Sequence, residues 1–257
     1  ETGFFRFAQS KDQFSKTYST VLTSLFVTSV GFVLIANVFA EPLAGLVQHP
    51  GHPEWIRYFG FILAFDAFSS IPFAKLRQQN KAWKFAIIKS INIFVNIGLN
   101  AFFLLLCPYL LKNNPDSVIN LVYNPNIGIS YIFISNLIAS SVTLLILIPE
   151  IINVKYHFDG KLLRKILWYS LPLLIGGFAG MINETIDRVL LKYLLPMSNE
   201  EALAKLGVYG ANYKLSILMI LFIQMFRYAA EPFFFSESKN KASKQNFADV
   251  MLYFIIF

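Results

Sequence analysis

Six long apolar stretches, each interrupted by only a few polar residues, limit what this chain can fold into. They run near 18–47, 55–76, 84–111, 127–154, 168–196 and 207–235, and a seventh begins near 247. A bilayer core of roughly 30 Å is crossed by about 20 mostly apolar residues in a helix, so each stretch predicts one span. Period-two alternation is lacking and the runs exceed the length of barrel strands, which leaves helices as the spanning structure. The expected fold class is all-α, a polytopic transmembrane helix bundle. Composition agrees, with 56% hydrophobic and only 14% charged residues among 257, against roughly a quarter charged in soluble domains. Segment 1–8 reads as the tail of another span. The chain opens on Glu1 rather than methionine and ends at Phe257 inside an apolar run, so it is expected to be an internal piece of a longer protein.

The basic residues predict orientation. Arg6, Lys11 and Lys16 fall in one connection, followed by Lys75, Arg77, Lys81, Lys84 and Lys89 in the next but one. Lys155, Lys161, Arg164 and Lys165 come next, then Lys239, Lys241 and Lys244, giving fifteen of the 22 Lys and Arg. The alternate connections hold only Arg57, Lys112 and Lys205. Such strict alternation places the basic connections on the cytoplasmic side. It also explains the net charge of +7 as topology rather than nucleic-acid binding, and no nucleic-acid partner is expected.

The outer connections are short: 49–53, roughly 112–126 and 197–206. None can house a catalytic domain. His49 and His52 lie beside prolines without a carboxylate cluster, so no metal site is expected. Cys107 is the only cysteine, which excludes an internal disulfide and a cysteine-based metal site. No nucleophile–base pair and no Walker-type glycine loop is present, so the chain is read as non-enzymatic and without a cofactor.

Phe5-Arg6-Phe7-Ala8 recurs 221 positions later as Phe226-Arg227-Tyr228-Ala229. Each copy sets an arginine among aromatics beside an apolar run. A cation there must face an interior cavity and find partners, and a long-period repeat points to two related halves with a site where they meet. Inside the stretch 168–196, Asn183 and Asp187 stand one turn apart, as do Glu184 and Arg188. The Glu184–Arg188 order favours an ion pair within the helix, which leaves Asp187 to find a partner on another helix. Gly176 and Gly180 form a small-xxx-small step expected to pack closely.

In the next span Gln224, Arg227 and Glu231 share one face, with Glu231 able to neutralise Arg227 and Pro232 expected to end or kink the helix. Lys214 lies about 20 Å before Arg227 along a helix; it either marks the far end of a transmembrane path or snorkels to the interface. Lys89, Asn92, Asn96 and Asn100 form one polar stripe, read either as interhelical glue or as a cavity wall for a hydroxyl-rich ligand. Asp66, midway along its span, is a candidate for ion or proton coupling.

The segments ETGFFRFA, PFAKLRQQNKAWKFAIIKSINIFVNIGLN, SLPLLIGGFAGMINETIDRVLLKYLLP and YGANYKLSILMILFIQMFRYAAEPFFF resemble bacterial oligosaccharide and polysaccharide flippases. These O-antigen, Wzx-type proteins are relatives of the MATE transporters, and the resemblance covers nearly all the helices. It implies two pseudo-symmetric six-helix lobes, divided here into 1–154 and 155–257, in the bacterial inner membrane. The chain would then run from the end of helix 2 to the start of helix 9. The implied activity is movement of a lipid-diphosphate-linked oligosaccharide by alternating access through a cationic cavity, and the implied partners are membrane lipids and other polysaccharide-assembly proteins. Arg6, Arg188, Lys214 and Arg227 would supply cations; the asparagines would meet sugar hydroxyls. Two rival readings are a cation-coupled multidrug antiporter on the same fold and a membrane polymerase or ligase; the latter would normally carry a large outer loop.

Overall fold

The computed structural model describes residues 1–9, 11–47, 50–113, 119, 122–152, 154, 157–194, 199–237, 247–250 and 252. In chain order the helices are α1 (Thr2–Phe7), α2 (Lys11–Val38), α3 (Ala40–Leu46), α4 (Pro53–Gln78), α5 (Ala82–Ala101), α6 (Cys107–Asn113), α7 (Ser130–Ile152), α8 (Gly160–Leu194) and α9 (Asn199–Glu237). A π-helical turn, Phe102–Leu106, joins α5 to α6, so the two read as one span of 82–113. No strand occurs among the described residues.

Among the described residues, five helices are long and apolar enough to cross a membrane, and α9 makes a sixth if its two parts, bent by 44°, form one span. The chain is therefore a multi-pass, all-α membrane bundle. The six apolar stretches predict these spans closely. The first differs: the expected run 18–47 breaks after Val38, and Ala40–Leu46 forms a separate short helix. Pro232 does not end its helix, since α9 continues to Glu237. The seventh stretch, near 247, and the loops around 114–118 and 195–198 lie outside or only partly within the described residues.

Two compact units result: Lys11–Asp159 with Glu1, and Thr2–Ser10 with Gly160–Phe257. In the first, α4 packs on α2 and α7, and α7 packs on α5. Helices α4 and α7 run parallel, because their cross-links keep a constant offset. Trp55 Nε1 donates to Ser130 Oγ at 2.6 Å, Ser140 Oγ to Asp66 Oδ1 at 2.8 Å, and Lys75 Nζ to the Glu150 carbonyl at 2.8 Å, with sequence separations of 75, 74 and 75. From Trp55 to Lys75 is roughly 30 Å of helix, the thickness of a bilayer core. One rung thus sits at each edge of the span and one near its middle. Helix α5 runs antiparallel to α7: Lys84, Asn92 and Asn96 reach Glu150, Thr143 and Asn136 at separations falling from 66 to 51 to 40.

Local sequence explains the joints. After α4, Asn80 takes a left-handed φ of 55°, while its N–H bonds Arg77 O and the Lys81 N–H bonds Leu76 O at 2.9 Å. This is a Schellman ending with asparagine in the position that glycine usually fills, and it turns the chain into α5. Close packing of α2 on α4 needs Gly60, where a Cβ would come within 2.8 Å of Ala36 Cβ. In the second unit α1 lies against α8 and α9. Gly3 allows this approach, since a Cβ there would meet Ser170 Oγ at 2.5 Å. The step expected to pack, Gly176 and Gly180, has nothing within 4 Å of either added Cβ. Small residues do make the tight contacts here, but at Gly60 and Gly3.

Candidate functional site

The second unit gathers part of the expected polar constellation. Asp187 and Arg188 stand toward the C-terminal end of the long α8, where its candidate membrane span finishes, and Tyr209 and Tyr213 one turn apart on α9. The Tyr209 hydroxyl donates a short hydrogen bond to Asp187 Oδ2, and the Arg188 backbone N–H bonds Asp187 Oδ1 at 2.8 Å. The Arg188 guanidinium lies over the Tyr213 ring, 4.4 Å from its centroid, and the two tyrosine rings stack at 6.2 Å. A cation held on an aromatic face keeps its charge while shedding part of its water. Arg188 Nε is buried without a hydrogen-bond partner among the described residues, so a donor remains for an incoming acceptor.

This arrangement revises the expected pairing. Arg188 engages Tyr213 on α9 instead of Glu184 one turn away, and Glu184 is exposed. The search of Asp187 for a partner on another helix ends at Tyr209. Both tyrosines escape sequence reasoning because, in a chain with 16% aromatic residues, they read as interface or lipid-facing side chains. Their spacing of four, on the helix that follows an Asp-Arg pair at the end of an apolar run, is the signal that could have found them.

The repeated aromatic-arginine segments belong to α1 and α9, which pack together. Thr2 Oγ1 donates to Glu231 Oε1 at 2.6 Å and Gln9 Nε2 to the Phe235 carbonyl at 3.1 Å. Glu231 therefore ties the two segments to each other, beyond any service to Arg227. Arg6, Asn183, Lys214, Gln224 and Arg227 are exposed on their helices.

The asparagine stripe lies in the first unit and faces α7. Asn92 Nδ2 donates to Thr143 Oγ1 at 2.9 Å, Asn96 Nδ2 to Asn136 Oδ1 at 3.1 Å, and Asn100 Nδ2 to Asn96 Oδ1 at 2.7 Å. Of the two readings, interhelical glue is the one this geometry expresses. Lys89 sits 4.5 Å from the Phe73 ring centroid. Asp66 is exposed at mid-span and accepts from Ser140.

A stronger electrostatic feature lies in the first unit, at Glu150. Glu150 receives Lys75 at 2.9 Å and Lys84 at 2.7 Å, the carboxylate and Lys75 both being under a tenth exposed. Tyr18 completes it, its hydroxyl donating to the Glu150 carbonyl at 2.9 Å and its ring lying 4.9 Å from Lys75 Nζ. Counting lysines for topology hides this cluster, since the charge that locks Lys75 lies 75 residues downstream. On the opposite edge His52 bonds Glu54 at 2.8 Å and stacks on Trp55. His49 lies outside the described residues, and no group of three or more metal-ligating side chains occurs among those described.

A multi-pass, all-α bundle carrying charged and aromatic residues between its helices places the chain among the integral membrane proteins. The chain belongs to a family of polysaccharide biosynthesis proteins, whose sequence model matches residues 3–257. No curated protein and no solved structure shows significant similarity to it.

Proposed function

We propose that the protein moves a lipid-diphosphate-linked oligosaccharide across the inner membrane during surface polysaccharide synthesis, as a transporter and not an enzyme. The observation that carries this reading is Arg188: a guanidinium at the end of the α8 span, held on Tyr213, with Nε unpartnered among the described residues. A diphosphate entering a low-dielectric site needs compensating cations, and the planar guanidinium fork matches phosphate oxygens. Membership of a polysaccharide biosynthesis family supports the cargo class. In this reading Arg6, Lys214 and Arg227 add cations along the path, while Asn183 and Gln224 meet sugar hydroxyls. Asp187, fixed by Tyr209, orients the arginine beside it. The wider frame is a MATE-like protein of two lobes, 1–154 and 155–257, working by alternating access.

The test is complementation of a flippase-deficient strain by the full-length protein. Arg6→Ala, Arg188→Ala and Arg227→Ala should each abolish surface glycan at normal membrane abundance, and Arg188→Lys should remain defective because an ammonium does not reproduce the fork. Normal complementation by all three alanine variants defeats the cationic-path idea.

One observation favours a second reading, a cation-coupled antiporter of small molecules: Asp66 is an exposed carboxylate at mid-span, steadied by Ser140. Raised resistance to cationic dyes on expression, lost in Asp66→Asn, would establish it in place of the first.

A further inference from the structure

A wholly different surface remains on the first unit. Helices α2, α4 and α7 enclose a groove of about 680 Å³ whose walls include Leu22, Phe26, Phe65, Phe68, Leu144 and Ile148. Past Phe26, Phe65, Phe68 and Leu144, which border both, it runs into a recess of about 230 Å³ that reaches Leu34 and Phe61. Phe26 and Phe68 meet edge to face at 5.8 Å. The hydroxyl of Ser141, one of the few polar residues on the wall, is turned to the Leu137 carbonyl at 2.7 Å. From Leu22 to Leu34 is about 18 Å of helix, slightly more than one leaflet, roughly 15 Å, of the hydrocarbon core.

One end of this groove is positive. Lys16 lies seven residues before Thr23 on α2 and Lys75 seven after Phe68 on α4, so each continues the stripe that lines the groove. Lys75 shares the carboxylate of Glu150 with Lys84. Between exposed Lys16 and the groove, Ser19 and Thr20 lie buried beneath His157 and Asp159. Two acids, Glu150 and Asp159, thus stand against three lysines, and this end keeps a net positive charge. An apolar slot one leaflet deep that ends at cations fits an amphiphile with one straight chain in the slot and a negative head at the rim.

We propose that this groove holds one acyl chain of an anionic phospholipid from the leaflet at the basic end, with the headgroup phosphate at Lys16 and the rim of the Lys75–Glu150–Lys84 cluster. A much longer isoprenoid chain would overrun the slot. The site is separate from the Arg188 cluster and does not rest on the transport reading.

The test uses the whole chain in phosphatidylcholine vesicles containing a trace of phosphatidylglycerol with a diazirine on one acyl chain. Labelled peptides are mapped by mass spectrometry. Label should concentrate on the groove faces of α2, α4 and α7, roughly tenfold above that from the same acyl probe carrying phosphocholine. Leu144→Trp, which fills the slot, should cut groove labelling about tenfold, the effect of roughly two methylenes of lost burial, while label at outward-facing Phe94 and Ile97 stays unchanged. Lys16→Glu should erase the headgroup preference alone. Even labelling of all exposed apolar positions, or equal labelling by the two headgroups, overturns the proposal. So does displacement of the probe by polyprenyl phosphate labelling the same peptides, which would give the slot to a transported lipid. A dimer in which a second copy shields the groove overturns it as well.

Discussion

Glu150 answers two lysines with one carboxylate, and the two differ in exposure. Lys75 is 7% exposed and Lys84 42%, so removing the carboxylate leaves Lys75 as a buried charge without its ion-pair partner. Glu150→Gln should cost about 3–5 kcal/mol, whereas Lys84→Ala, at a half-wet position, should stay within about 1 kcal/mol. Thermal denaturation of the detergent-solubilised protein compares them, and equal losses would refute this ranking. At this scale the sequence was only partly legible. Asp187 and Arg188 stand out because ionisable residues are rare inside spans. Tyr209, Tyr213 and Tyr18 do not, because an aromatic residue in a membrane helix is unremarkable until its neighbour is known. The spacing of Glu184 and Arg188 is visible in sequence and predicts their pairing, while a ring arriving from the next helix is not visible there.

At the scale of single elements, the joints make sharper tests than the spans. Asn80 occupies a left-handed position, so Asn80→Gly should be neutral or slightly stabilising, and Asn80→Val should cost about 1–2 kcal/mol through its β-branched side chain. Gly60 and Gly180 form a second contrast. Gly60→Ala drives a methyl into Ala36 and should cost about 1–3 kcal/mol as overpacking. Gly180→Ala enters open space and should gain up to about 1 kcal/mol from helix propensity. Denaturation midpoints of the four variants decide both cases, and a destabilised Gly180→Ala alongside a neutral Gly60→Ala would reverse the packing assignment. Spans were legible because hydrophobic length is set by the bilayer. Which glycine packs was not, because a small-xxx-small step shows only that a helix can be approached closely. The asparagine stripe was legible as a polar face, but its partners Asn136 and Thr143 required the fold to bring α7 opposite.

For the molecule as a whole, the alternating lysines make a topological prediction. Lys81→Cys should react with a membrane-impermeant maleimide only from the cytoplasmic side, and Gly51→Cys only from the other. Cys107 is buried, so the native background should be low. Reaction of both positions from one side would break the assigned topology. The parallel rungs between α4 and α7 carry a further implication, one about time. During synthesis at about 5–20 residues per second, Glu150 follows Lys75 by roughly 4–15 s. Throughout that interval α4 is already made and its lysine has no carboxylate to meet. Its place near the helix end lets the ammonium reach the aqueous boundary while it waits. All three rungs can close only when α7 emerges, so the last of these spans to be translated is the one that draws a provisional α4 into its final depth.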